Sequence, residues 1–146
     1  MALWHFKIWF VPSEFVGDRR NLDAEECEDG TWDNTKQPAA DFQSRLTTIL
    51  PSRKSWHERL LQWGSEDGDL IEVWMEGEKV ESISARIDCR NINARFTRQI
   101  FEVAHEWGFR LVYQRYRVAL PQQWEGFAPR AALLNPQCPG HAFLHF

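Results

Sequence analysis

The chain has 146 residues, 43% apolar and 26% charged, which is enough to bury one sizeable core and argues against disorder throughout. Its net charge of −4 speaks against a general nucleic-acid binder, because phosphate attraction supplies that affinity. The charge is uneven: residues 1–85 hold 9 basic and 17 acidic side chains, whereas residues 86–146 hold 8 basic, all Arg, and 4 acidic. Both halves are expected to build one core, with residues 1–146 as a single α+β domain.

The opening residues, "MALWHFKIWFVP", lack the basic start and small-residue cleavage site of a signal peptide. Trp4, Phe6, Ile8 and Phe10 alternate with His5, Lys7 and Trp9, which predicts a strand that Pro12 ends. A polar stretch follows to about Gln37. Within it Asp23, Glu25, Glu26, Glu28, Asp29 and Asp33 have no basic residue among them, so a long acidic loop is expected. Phe42, Leu46, Ile49 and Leu50 then show helical spacing between Pro38 and Pro51. "SWHERLLQWG" at 55–64 reads either as a short helix carrying Trp56, Leu60 and Trp63 or as an irregular strand.

Ile71, Val73 and Met75 alternate with Glu72, Trp74 and Glu76, and "EGEK" leads into "VESISARIDCR" at 80–90. This predicts a hairpin. Placing both odd-numbered sets inward requires an odd loop or a bulge near Val80. Asn91 or Asn93 caps the clearest helix, whose stripe is Phe96, Ile100, Val103, Ala104 and Trp107, and Gly108 stops it. "FRLVYQRYRVAL" at 109–120 reads as a last strand, apolar on both faces. The remaining tail is irregular.

The element order is β-α-β-β-α-β. That is the split βαβ, ferredoxin-like arrangement, a single four-stranded antiparallel sheet with two helices on one face. The other face would gather Trp9, Lys7 and His5, then Ser84, Arg86, Asp88 and Arg90, then Glu72, Trp74 and Glu76. The last strand would add Tyr113, Arg115 and Arg117, or Gln114 and Tyr116. Trp with Arg is the composition enriched at recognition hot spots. The residues expected to bind a partner or ligand are therefore Trp9, Lys7, Glu72, Trp74, Arg86, Asp88 and Arg90. The competing readings are solvated cross-strand ion pairs, such as Glu72 with Arg86, and a face covered by the chain's own loop or tail.

No catalytic residue, metal ligand or cofactor is expected. His141 and His145 are four apart, but Pro139 and Gly140 precede them and no carboxylate or Cys completes a site. Cys27, Cys89 and Cys138 are odd in number and show no CxxC spacing, and Cys89 falls on the inward face. There is no Walker loop, G-x-G-x-x-G, G-x-S-x-G, H-E-x-x-H or calcium-loop pattern. Without a bilayer-spanning apolar run, a reduced cytoplasmic protein is expected, with a protein partner or a second copy of itself, no membrane and no nucleic acid. The leading reading is a small non-enzymatic protein-binding module, of inhibitor or immunity type by analogy, using the Trp/Arg face and the acidic loop. The alternative is a small-ligand-binding protein or enzyme with a polar pocket on that face, between two copies in one version, built from Arg86, Asp88, Arg90, His5 and Tyr113. A closed cleft would favour the alternative, and a flat face the first reading.

Overall fold

The computed structural model describes residues 5–23, 36–114 and 117–122. The elements run β1 (His5–Pro12), α1 (Ser13–Val16), α2 (Phe42–Thr47), β2 (Ser52–Arg53), β3 (Leu60–Gly64), β4 (Leu70–Glu76), β5 (Lys79–Asp88), α3 (Ala94–Glu106), β6 (Phe109–Tyr113) and β7 (Val118–Ala119). All strands join one sheet in the order β2-β3-β4-β5-β1-β6-β7, every pair antiparallel.

The four-stranded, two-helix ferredoxin-like expectation is therefore overturned. The described residues form a seven-stranded antiparallel sheet with three short helices, mostly strand. Two local choices account for the difference. In 55–64 the spacing of Trp56, Leu60 and Trp63 left helix and strand open, and the free backbone edge of β4 selects the strand. Pairing Leu60 with Trp74 and Trp63 with Ile71 buries Leu60 on one sheet face and Trp63 on the other, which a short helix could not do. The expected last strand folds into a hairpin instead. β6 reverses so that Val112 meets Ala119 and Tyr113 meets Val118, with Arg117 at φ 55 closing the turn. A non-glycine residue in that region carries no signature in the sequence.

The β4–β5 hairpin resolves the register as a bulge. Glu76 pairs with Lys79 around Gly77 and Glu78, and the register shifts between Trp74 and Met75, so that Trp74 meets Ser82. Arg59 holds this step: Met75 N–H donates to Arg59 O at 2.8 Å, and Arg59 Nε donates to Met75 O at 2.9 Å. The bulge brings Ile83, Ala85 and Ile87 onto the same side as Ile71 and Val73. These join Phe6, Ile8 and Phe10 beneath α2 and α3 in one core. Each fully buried aliphatic or aromatic side chain here contributes about 1.5–3 kcal/mol.

α3 follows its stripe: Phe96, Ile100, Val103, Ala104 and Trp107 are buried. Asn93 is its cap, Oδ1 accepting from Phe96 N–H at 3.1 Å, and Gly108 ends it at φ 79. Cys89 is buried, as its inward position predicts. α2 is shorter than the 38–50 spacing suggested, and Phe42 and Leu46 are its buried residues.

The opposite sheet face is roofed at one end by the chain itself. Val16 of α1 and Leu22 pack on Val11, Val112 and Ala119 as a second, smaller core. Backbone bonds from Ala119 N–H to Arg20 O (2.7 Å) and from Leu22 N–H to Arg117 O (3.0 Å) fasten this cover. Among the described residues no helix is long and apolar enough to cross a membrane. The acidic loop after Asp23, Cys27, Arg115, Tyr116, Cys138, His141 and His145 lie outside the described residues.

Candidate functional site

Strand alternation places the expected surface on the face away from α3. His5, Lys7 and Trp9 are half-buried while Phe6, Ile8 and Phe10 are buried. Ser84, Arg86 and Asp88 alternate in the same way with Ala85 and Ile87. Register unites them: Lys7 faces Arg86, Trp9 faces Ser84, and Ser84 faces Glu72. β3 extends the face with Leu60 beside Trp74 and Gln62 beside Glu72. Gln62 Nε2 donates to Glu72 Oε2 at 3.0 Å.

The face has three parts. At the β3–β4 end stands an aromatic cluster. Trp56 lies edge-on to Trp74 (ring centroids 5.7 Å apart, 74° between planes) and to His57 (5.6 Å, 78°), and His57 lies 5.3 Å from Trp74. Trp56 is 74% exposed, the most open large hydrophobic side chain of the described residues. Its turn is fixed locally: Ser55 Oγ lies within hydrogen-bond reach of the His57 and Leu60 carbonyls, and Arg59 N–H donates to His57 Nδ1 at 3.0 Å. Sequence reading missed Trp56 as a surface residue because its spacing from Leu60 and Trp63 resembled one side of a helix.

The middle holds a shallow concavity of about 200 Å³ lined by Lys7, Leu70, Glu72, Ser84, Ala85 and Arg86. Lys7 and Glu72 are expected site residues that meet here. Glu72 and Arg86 are not directly opposite, since Leu70 is the partner of Arg86, and the described residues show no ion pair between them.

At the far end, Arg86, Asp88 and Arg90 hold the Ser65–Asp69 loop. Arg86 Nη2 donates to Ser65 O (3.2 Å), Gly68 O (3.3 Å) and Glu66 O. Arg90 Nη2 donates to Asp67 O at 2.8 Å and to Asp88 Oδ2 at 3.0 Å, and Arg90 Nε donates to Asp88 Oδ1 at 3.0 Å. Asp88 N–H donates to Asp69 Oδ1 at 2.9 Å, and His5 Nε2 reaches Asp67 O at 3.4 Å. These two arginines are thus engaged with carbonyls of the chain itself, an internal brace that the sequence pattern alone does not distinguish from a ligand clamp.

The electrostatics follow from this packing. The hydrogen bond from Arg90 holds the Asp88 carboxyl below its ordinary range. Burial pushes His5 below its ordinary value, and the Arg86 charge adds to that. Burial also lowers Arg86, against the pull of Glu72, Asp67, Glu66 and Asp88. Burial pushes Asp69 up to about 6, with the Asp88 charge acting in the same direction, and the Asp88 N–H and Arg86 opposing.

Tyr113 leaves the expected pocket. It pairs with Ile8, is buried on the helix side and stacks on Phe6 with centroids 4.1 Å apart. The β6 residues on the candidate face are Arg110 and Val112, by their pairing with Val11 and Trp9. Trp9 packs against the small second core, so it borders the roofed end. Among the described residues no cluster of His, Cys, Asp or Glu is arranged to hold a metal ion. No family model, curated protein or solved structure matches the chain at a significant level.

Proposed function

We propose that this chain is a small non-enzymatic protein-binding module whose contact surface is centred on Trp56, His57 and Trp74 and continues across Glu72 and Lys7 toward Trp9. Arg86, Asp88 and Arg90 act at its border by bracing the Ser65–Asp69 loop. The observation that carries this reading is the exposure of Trp56 on a turn whose backbone is already hydrogen-bonded. A large planar side chain held in place offers contact area with little ordering entropy left to lose on binding. The adjoining charges, Glu72, Lys7 and the Arg59–Glu81 pair at 2.7 Å, supply a polar rim. An inhibitor or immunity-type role is the form of this class that suits a small charged chain.

The alternative, a small-ligand pocket on the same face, is favoured by the Lys7–Glu72–Ser84–Arg86 concavity. Its volume of about 200 Å³ falls short of the roughly 300–1,000 Å³ common for ligand sites, and Arg86 is committed to the loop. The protein partner is therefore preferred.

Trp56→Ala tests the reading. Unfolding free energy should change by less than about 0.5 kcal/mol, as for exposed positions generally. Affinity for the partner, identified by capture from native lysate and mass spectrometry and then titrated with purified protein, should fall about 30-fold or more. Equal affinity for wild type and variant overturns the proposed surface.

A further inference from the structure

The roofed end of the second sheet face contains a site of different chemistry. Arg110 stands opposite Val11 beneath the Gly17–Arg20 turn. Its Nη2 donates to Leu120 O at 2.7 Å. Its Nε is enclosed and has no hydrogen-bond acceptor. A guanidinium carries five N–H donors and stays charged in proteins, so one carbonyl leaves most of its capacity unanswered. Burial depresses its proton affinity, and among the described residues no carboxylate forms an ion pair with it. Holding a cation half-buried without a counter-charge is unfavourable, and a bound anion would remove that penalty.

The surroundings suit one. Arg110 lines a recess of about 360 Å³ with Gly17, Asp18, Arg19, Arg20 and Pro121. Arg19 is fixed there: its Nη2 donates to Phe15 O at 2.6 Å, and its guanidinium lies 5.1 Å from the Phe15 ring centre. Gly17, at φ 57, turns the chain so that the Arg19–Arg20 backbone runs beside β7, where Arg20 O accepts from Ala119 N–H.

We propose that this recess binds a small oxyanion, a phosphate or a carboxylate, with Arg110 as its main donor. Guanidinium groups pair with both through parallel N–H···O bonds, and the volume admits a group of that size with a short organic remainder. The site is separate from the aromatic surface and does not depend on it.

The test is thermal unfolding of the full chain in chloride, inorganic phosphate and succinate at matched ionic strength, for wild type and Arg110→Met. General salting effects are common to both proteins. Binding raises Tm only where the site is intact. At ligand concentrations well above Kd, the rise for wild type should exceed that for Arg110→Met by roughly 2–4 °C. The arm with the larger gain tells phosphate from carboxylate. Equal gains in both proteins in both arms overturn the proposal. Arginine Nε–H resonances of wild type give an answer that needs no substitution. A saturable shift of one half-buried guanidinium on titration with phosphate or succinate supports the site, and the absence of any saturable shift with either overturns it.

Discussion

Asp69→Asn probes the brace behind the candidate surface. Asp69 Oδ1 accepts the Asp88 N–H at 2.9 Å, a bond that an asparagine carbonyl oxygen retains. What the substitution removes is a half-buried negative charge close to Asp88. Burial, aided by Asp88, raises the carboxyl from its ordinary 3.8 to about 6, which is roughly 3 kcal/mol at 1.36 kcal/mol per pH unit. Partial exposure screens this to about 1–2 kcal/mol. The folded chain binds this proton more tightly than the unfolded chain. The penalty is therefore complete above about pH 7 and is relieved as pH falls from 6 toward 4. At pH 7.5 the variant should be more stable by about 1–2 kcal/mol, a rise of roughly 0.5–1 M in the urea midpoint followed by tryptophan fluorescence. At pH 4 the two midpoints should converge. Asp88, whose carboxyl is lowered mainly by Arg90, loses stabilisation on acidification, but it does so in both proteins and largely drops out of the difference. A variant no more stable at pH 7.5, or one whose advantage is unchanged at pH 4, would refute the account of this loop.

Two further substitutions test the frame that positions the surface. Gly64 sits at φ +107, and an added Cβ would meet the Asp69 carbonyl oxygen, so Gly64→Ala should destabilise by at least about 2 kcal/mol in thermal or urea unfolding; a neutral effect would mean the loop closes differently. Asn93→Ala removes the acceptor of the Phe96 N–H and should lose about 1 kcal/mol, whereas Asn93→Ser should restore most of it, both read from chemical denaturation.

Local pattern determined a good deal of this protein. The period-2 alternation of His5–Pro12, Leu70–Glu76 and Lys79–Asp88, together with the stripe of Ala94–Glu106, was legible because side-chain direction in a strand or helix follows from sequence spacing alone. The inward Cys89, the need for an odd loop or a bulge near Val80, and the shared direction of Lys7 with Trp9 and of Glu72 with Trp74 follow from the same geometry; the structure chose the bulge. Tertiary structure decided what spacing leaves open. Leu60–Gly64 is a strand because the edge of β4 needed a partner, and Val118–Ala119 turns back to pair with Val112 and Tyr113 instead of extending the strand that begins at Phe109. Arg86 and Arg90 brace a loop because the carbonyls of Ser65–Gly68, distant in sequence, come to lie within hydrogen-bond reach. Trp56 is exposed, and the Arg110 Nε enclosed without an acceptor, for the same physical reason: alternation says which way a side chain points, but only the packed chain determines what stands there to meet it.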